Sequence, residues 1–189
     1  QRQMCIRDSQ ISEILLKEDE AFCLQKRFVN EIPMDTDMVC LCNPNNPTGQ
    51  LIDREVLEQV ADYCQKTDTC LLLDECFHDF LEEGSVHTLL PRVKENPKLF
   101  VLRAFTKMYG MAGLRLGYGI CSDTELIRRM EQVTQPWNVS VPAQAAGIAA
   151  AREQEFVAVS RQMITEQKKL LLAGLEAAGA KVYLSLIHI

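Results

Sequence analysis

The chain has no uninterrupted apolar run of the roughly 18–20 residues that a membrane-spanning helix needs, so no membrane partner is expected. Positive charge is also short. Twenty Lys and Arg stand against 26 Asp and Glu, and the net charge of −6 argues against a nucleic-acid partner or an anionic membrane surface. No G-x-G-x-x-G follows a strand and no G-x-x-x-x-G-K-[ST] occurs, which leaves a dinucleotide fold or a P-loop without support. The eight cysteines contain no C-x-x-C, and His78 has no partner at ligand spacing, so no metal centre is expected. With Cys40 and Cys70 in apolar runs, the cysteines read as buried, reduced thiols of a cytoplasmic protein. What remains is ordinary globular material: 189 residues, 47% apolar and 24% charged, enough to bury one sizeable core.

The two ends fit no element beside them. Residues 1–9 (QRQMCIRDS) and 184–189 (LSLIHI) resemble translated sequencing-adapter scars and are set apart from the fold, which leaves 10–183 as the domain. A short strand is expected near Ala21–Leu24, and a helical turn through Lys26–Ile32. Met38–Cys42 is a continuous apolar run, the pattern of a buried parallel strand, and it stops at NPNNPTG, Asn43–Gly49. Asp53 caps the next helix, in which Val56, Leu57, Val60, Ala61 and Cys64 recur at helical spacing. Cys70–Leu73 is a second strand, ending in Asp74-Glu75; Leu99–Leu102 is a third and Tyr118–Cys121 a fourth. Ser122 and Glu125 form a capping box for a helix to about Val133. Helices through Ala143–Ala151 and Gln154–Ala178 follow, the last ended by Gly179. Strands alternating with helices predict an α/β fold with a central, mostly parallel sheet flanked by helices.

The polar motifs follow the carboxyl ends of those strands, where open α/β sheets bind ligands. In VLRAFTKMYGMAGLRLGY, Val101–Tyr118, three glycines punctuate a segment too apolar for a solvated loop. Lys107 and Arg115, eight positions apart, share that turn. A primary amine beside a guanidinium there suggests a covalent imine site next to an anion clamp. The same pattern also fits an exposed lysine and an arginine paired with a carboxylate.

The order NPNNPTG, LLLDE, then FTK with GLRLGY resembles fold-type I pyridoxal-5′-phosphate enzymes, the class I/II aminotransferase superfamily. The resemblance covers about Ile14–Tyr183, which in that superfamily is the middle of a longer chain, the large domain without its later small domain. It implies a homodimer when full length and a small amino-acid or amino-phosphate substrate. Lys107 then matches the lysine that bonds the cofactor and moves a proton, and Asp74 the acid paired with the pyridine nitrogen. Asn46 matches the donor to the cofactor 3′-oxygen, Thr106 a phosphate hydroxyl, and Arg115 the guanidinium on the phosphate.

Two departures stand out. Phe77 takes the place of a tyrosine that would donate to the 3′-oxygen, and Ala104 lacks a hydroxyl often found three residues before the lysine. The DECF context with FTK looks most like threonine-phosphate decarboxylases of cobalamin synthesis, and next like histidinol-phosphate aminotransferases. Trp137 and Asn138 fit either the site wall or the core. The competing reading from another class is an α/β binding domain that keeps the fold without the chemistry.

Overall fold

The computed structural model describes residues 10–183, and the two end segments set apart above lie outside the described residues. Four strands form one sheet in the order β1 (Met38–Cys42), β2 (Cys70–Asp74), β3 (Leu99–Ala104), β4 (Gly117–Ile120). The first three are parallel, with Cys42 opposite Asp74 and Asp74 opposite Leu102; β4 returns antiparallel, with Ala104 opposite Gly117. The expected mostly parallel α/β sheet is therefore present, and its edge strand is the exception.

The helices are α1 (Phe28–Glu31), α2 (Arg54–Lys66), α3 (Gly84–His87), α4 (Thr124–Val133), α5 (Val141–Ala150) and α6 (Gln154–Ala177). Asp53 caps α2 by accepting from the N–H groups of Glu55 and Val56, which satisfies two of the donors a helix start leaves open. The apolar stripe of α2 (Val56, Leu57, Val60, Ala61, Cys64) is buried against Val39, Leu71, Leu73, Leu99 and Val101. Those strand residues share one parity, so one face of the sheet builds the core. The other face is only partly covered by the described residues. Met38 and Cys40 are exposed, and Cys42, Leu72 and Leu102 half-buried.

Several expectations need correction. Ala21–Leu24 is not a strand: a 3-10 turn at Glu18–Glu20 is followed by Ala21 and Phe22 at φ 51° and 56°, left-handed geometry that no strand contains. The cap of α4 is Asp123, whose carboxylate accepts from Glu125 and Leu126 N–H, so Ser122 is one residue too early. None of the described cysteines is in a disulfide, yet only Cys64 is buried and Cys40 is exposed, because apolar strand runs here are covered on one side only. Trp137, 95% exposed, is not core. The end of α6 conforms, with Gly179 at φ 77° just after the Ala178 cap.

Two glycines of the Val101–Tyr118 region and its flank have physical necessity. Gly110 sits at φ 62°, in the turn closed by its N–H to Lys107 O at 3.0 Å. Gly119 lies under the Phe100 ring, where a Cβ would come within 2.3 Å of that ring. No helix among the described residues is long and apolar enough to cross a membrane.

Candidate active site

Three loops leave the carboxyl ends of β1, β2 and β3, and they bring most of the expected residues to one edge of the sheet. After β1, Asn43 is fully buried and acts as a clamp. Its N–H donates to Asp74 O (2.9 Å), its Oδ1 accepts from Ile52 N–H (2.9 Å), and its Nδ2 donates to His87 O (3.0 Å). The NPNNPTG turn is then closed by Gly49 N–H to Asn45 O and by Asn45 Nδ2 to Thr48 Oγ1, both at 2.6 Å, with Gly49 at φ 70°. Asn46 stands exposed at the outer tip of this turn.

Asp74 ends β2 on the open side of the sheet, half-buried, and its Oδ1 accepts from Cys76 N–H at 2.9 Å. Two thiols neighbour it. Burial pushes Cys42 up to about 11, with the Asp74 charge adding to the effect. Burial, and a hydrogen bond with Asp74, push Cys76 up to about 12. Both therefore remain protonated thiols beside the carboxylate at neutral pH.

Phe77 follows in the turn after β2, and Lys107 in the turn after β3. The Lys107 Nζ lies 5.2 Å from the Phe77 ring centroid, a cation–π contact that joins the two loops. Lys107 is exposed among the described residues and Thr106 beside it is half-buried. Arg115, also exposed, adopts φ 54° and donates from its guanidinium to Ala112 O at 3.1 Å, so it folds back on its own turn. Asp74, Phe77, Thr106 and Lys107 thus lie on adjoining strand ends, Asn46 lies on the next loop, and Arg115 lies further along the Lys107 turn.

Sequence reasoning missed the neighbour of Asp74. Glu75 is fully buried, and its carboxylate accepts from Arg103 Nε (2.9 Å) and Nη2 (2.6 Å), Thr88 Oγ1 (2.8 and 2.9 Å) and Leu89 N–H (3.2 Å). Strand parity held the signal. Residues 74 and 75 must face opposite sides, so one acid of the pair enters the packed side and requires a buried cation. No group of three His, Cys, Asp or Glu among the described residues could hold a metal ion.

The donor set fits pyridoxal 5′-phosphate. An exposed amine, a carboxylate with one oxygen engaged by a single N–H, a phenyl face, an amide and a guanidinium match an aldehyde, a ring nitrogen, a ring face, a 3′-oxygen and a phosphate.

Comparison with known proteins agrees. The profile described as aminotransferase class I and II matches residues 13–189. Threonine-phosphate decarboxylase of Salmonella typhimurium is 36% identical over 152 residues, 80% of this chain and 41% of the relative. Histidinol-phosphate aminotransferase of Brevibacillus brevis is 37% identical over 148 residues, 78% of this chain and 40% of the relative. The chain therefore spans about two-fifths of the length of these curated relatives. Among solved structures, histidinol-phosphate aminotransferase from Clostridium acetobutylicum superposes with a TM-score of 0.83 at 28% identity, covering 89% of this chain and 51% of that one. A Thermus thermophilus aspartate aminotransferase gives 0.76 at 30% identity, over 89% of this chain and 45% of that one. The chain belongs to the aminotransferase class I and II family, whose enzymes depend on pyridoxal 5′-phosphate.

Proposed function

We propose that residues 10–183 form the cofactor-binding core of an enzyme that acts on a small amino-acid-like substrate bearing a phosphate, as a threonine-phosphate decarboxylase does. The observation that supports this most is the placement of Lys107, over the Phe77 ring and in the turn that follows β3, the strand paired with the one Asp74 ends. An exposed amine set over a phenyl ring, one loop away from a carboxylate, stands at the carboxyl edge where such sheets bind ligands.

When bound, the cofactor supplies the electron sink for a bond broken at the substrate α-carbon. Lys107 would hold it through Nζ and would move a proton to or from that carbon. Asp74 would pair with the ring nitrogen. Its Oδ1 is oriented for this by the Cys76 N–H. Asn46 donates to the 3′-oxygen without help from residue 77, because the Phe77 phenyl can pack but not donate. Thr106 and Arg115 would bind the phosphate, Arg115 through the donors that its bond to Ala112 O leaves over.

For decarboxylation, Lys107 Nζ would deliver the proton that takes the place of the departing carbon dioxide on the α-carbon, closing the bond with the electron pair the cofactor had held. The second reading is transamination of histidinol phosphate, favoured by the 0.83 superposition on an aminotransferase of that type.

The full-length protein with pyridoxal phosphate should develop a visible absorption band, and borohydride should fix the label on Lys107. Threonine O-3-phosphate should release carbon dioxide. Amino transfer from histidinol phosphate to 2-oxoglutarate without carbon dioxide selects the second reading. Labelling that persists in Lys107→Ala overturns the assignment.

A further inference from the structure

We infer that the buried pair Glu75–Arg103 is a positioning device that sets Lys107 and Phe77 against Asp74, an inference that rests on the function proposed above. The pair is built as a node. Arg103 is the fifth residue of β3, four before Lys107, and its side chain is only 11% exposed. Its guanidinium reaches three places: Glu75 through Nε and Nη2, Asp79 through Nη1 at 3.3 Å, and Thr88 Oγ1 through Nη2 at 3.2 Å.

Glu75 in turn ties Thr88 and the Leu89 N–H to the end of β2, and its own N–H donates to Leu102 O at 2.9 Å. The Glu75 carbonyl accepts from His78 N–H at 2.9 Å, which closes the turn that contains Phe77. One guanidinium–carboxylate fork therefore fixes three segments: the end of β2 with Asp74, the Phe77–Phe80 turn, and the end of β3 that leads into Thr106 and Lys107.

Geometry assigns the pair to placement rather than contact. Glu75 and Arg103 have the parity of Leu73 and Val101, on the packed side of the sheet, whereas Asp74 faces the open side. Neither side chain needs to touch the cofactor to act. Glu75 follows Asp74 by one peptide bond and Arg103 precedes Lys107 by four residues, so a slip of either strand end moves a reacting group directly. A displacement of about 1 Å at such a group can cost about 10²-fold in rate.

Replacement of both charges by apolar side chains of similar volume separates the two roles, since such swaps of buried pairs are often neutral for stability. The test uses full-length enzyme with Glu75→Leu/Arg103→Met, and Arg103→Lys as the milder change that keeps the charge but loses the fork. Four quantities are read: melting temperature, kcat against KM, the visible band of the loaded enzyme, and amide hydrogen exchange of the apoenzyme.

The double variant should melt near wild type while kcat falls at least tenfold at nearly constant KM and the visible band shifts. Exchange should rise in residues 74–78, 88–90 and 104–110 of the apoenzyme and not elsewhere. Arg103→Lys should give a smaller change of the same kind, and it decides the matter if the double variant fails to fold. Unchanged kcat, band and local exchange in a folded variant overturn the inference, as does faster exchange spread evenly over the chain. A wild-type protein that forms no visible band overturns the functional reading instead, while the exchange measurement still judges the pair.

Discussion

His78 is buried directly beside the Phe77 position, 4% exposed, and burial holds it neutral; with the Arg103 charge adding to the effect, its pKa is pushed down to about 4 from an ordinary 6.5. The unfolded chain binds that proton near pH 6.5, so between pH 6.5 and 4 unfolding takes up a proton the native state refuses. The contribution of His78 is therefore complete above about pH 6.5 and is lost as the pH falls toward 4, by at most about 3 kcal/mol. Urea titrations of the full-length protein at pH 7 and pH 4.5 should show this loss, and His78→Asn should reduce the difference between them. Nothing in the sequence marked His78 for this. Its state depends on the turn after β2 and on Gly84, where a Cβ would stand 2.9 Å from His78 Nε2. Those contacts exist only once the chain has turned back on itself. Asp74, Lys107 and Phe77 were legible for the opposite reason: each sits in a motif placed at a strand end, and strand ends can be read from apolar runs.

At the scale of elements, the parallel strands and α2 were readable because period and cap agree. Val56, Leu57, Val60, Ala61 and Cys64 give the stripe, and Asp53 gives the start. Asp53→Ala should cost about 1 kcal/mol through the lost bonds to Glu55 and Val56 N–H. The check is a lower denaturation midpoint with unchanged slope, and an unchanged visible band in the loaded full-length protein. Less legible were elements governed by neighbours in space. The antiparallel course of β4 follows from its pairing with β3, and a run such as GYGI has no periodicity that reports direction. The segment Ala21–Leu24 misled because a short apolar stretch looks the same in a strand and in a turn with two left-handed residues. At α4, Ser122 and Asp123 are both good caps in isolation, and the carboxylate that reaches two N–H groups wins.

The whole molecule is unevenly covered. Beyond the α2 core, α6 buries none of its residues, and Trp137, Val133 and Val141 stand almost free at 95, 84 and 78% exposure. α6 is tethered through Arg161 to Asp79 O, Thr165 to Glu82, and Phe156 stacked on Tyr109 at 5.9 Å. So much apolar surface favours association. The 189-residue chain alone should elute as oligomers, bind an apolar dye, and give little or no visible band with pyridoxal phosphate. A monodisperse, yellow preparation would show that the domain is sufficient by itself. The sheet meanwhile acts as a partition. Its open side carries Asp74, the acid proposed to serve a ligand, and its packed side Glu75, the acid committed to architecture, with one peptide bond between them. Residue identities on the two sides can drift separately, but the number of residues in β2 cannot. A single deletion there would exchange the two carboxylates, stranding one charge in the packed interior and offering the other to the ligand one methylene too long, with composition and net charge almost untouched.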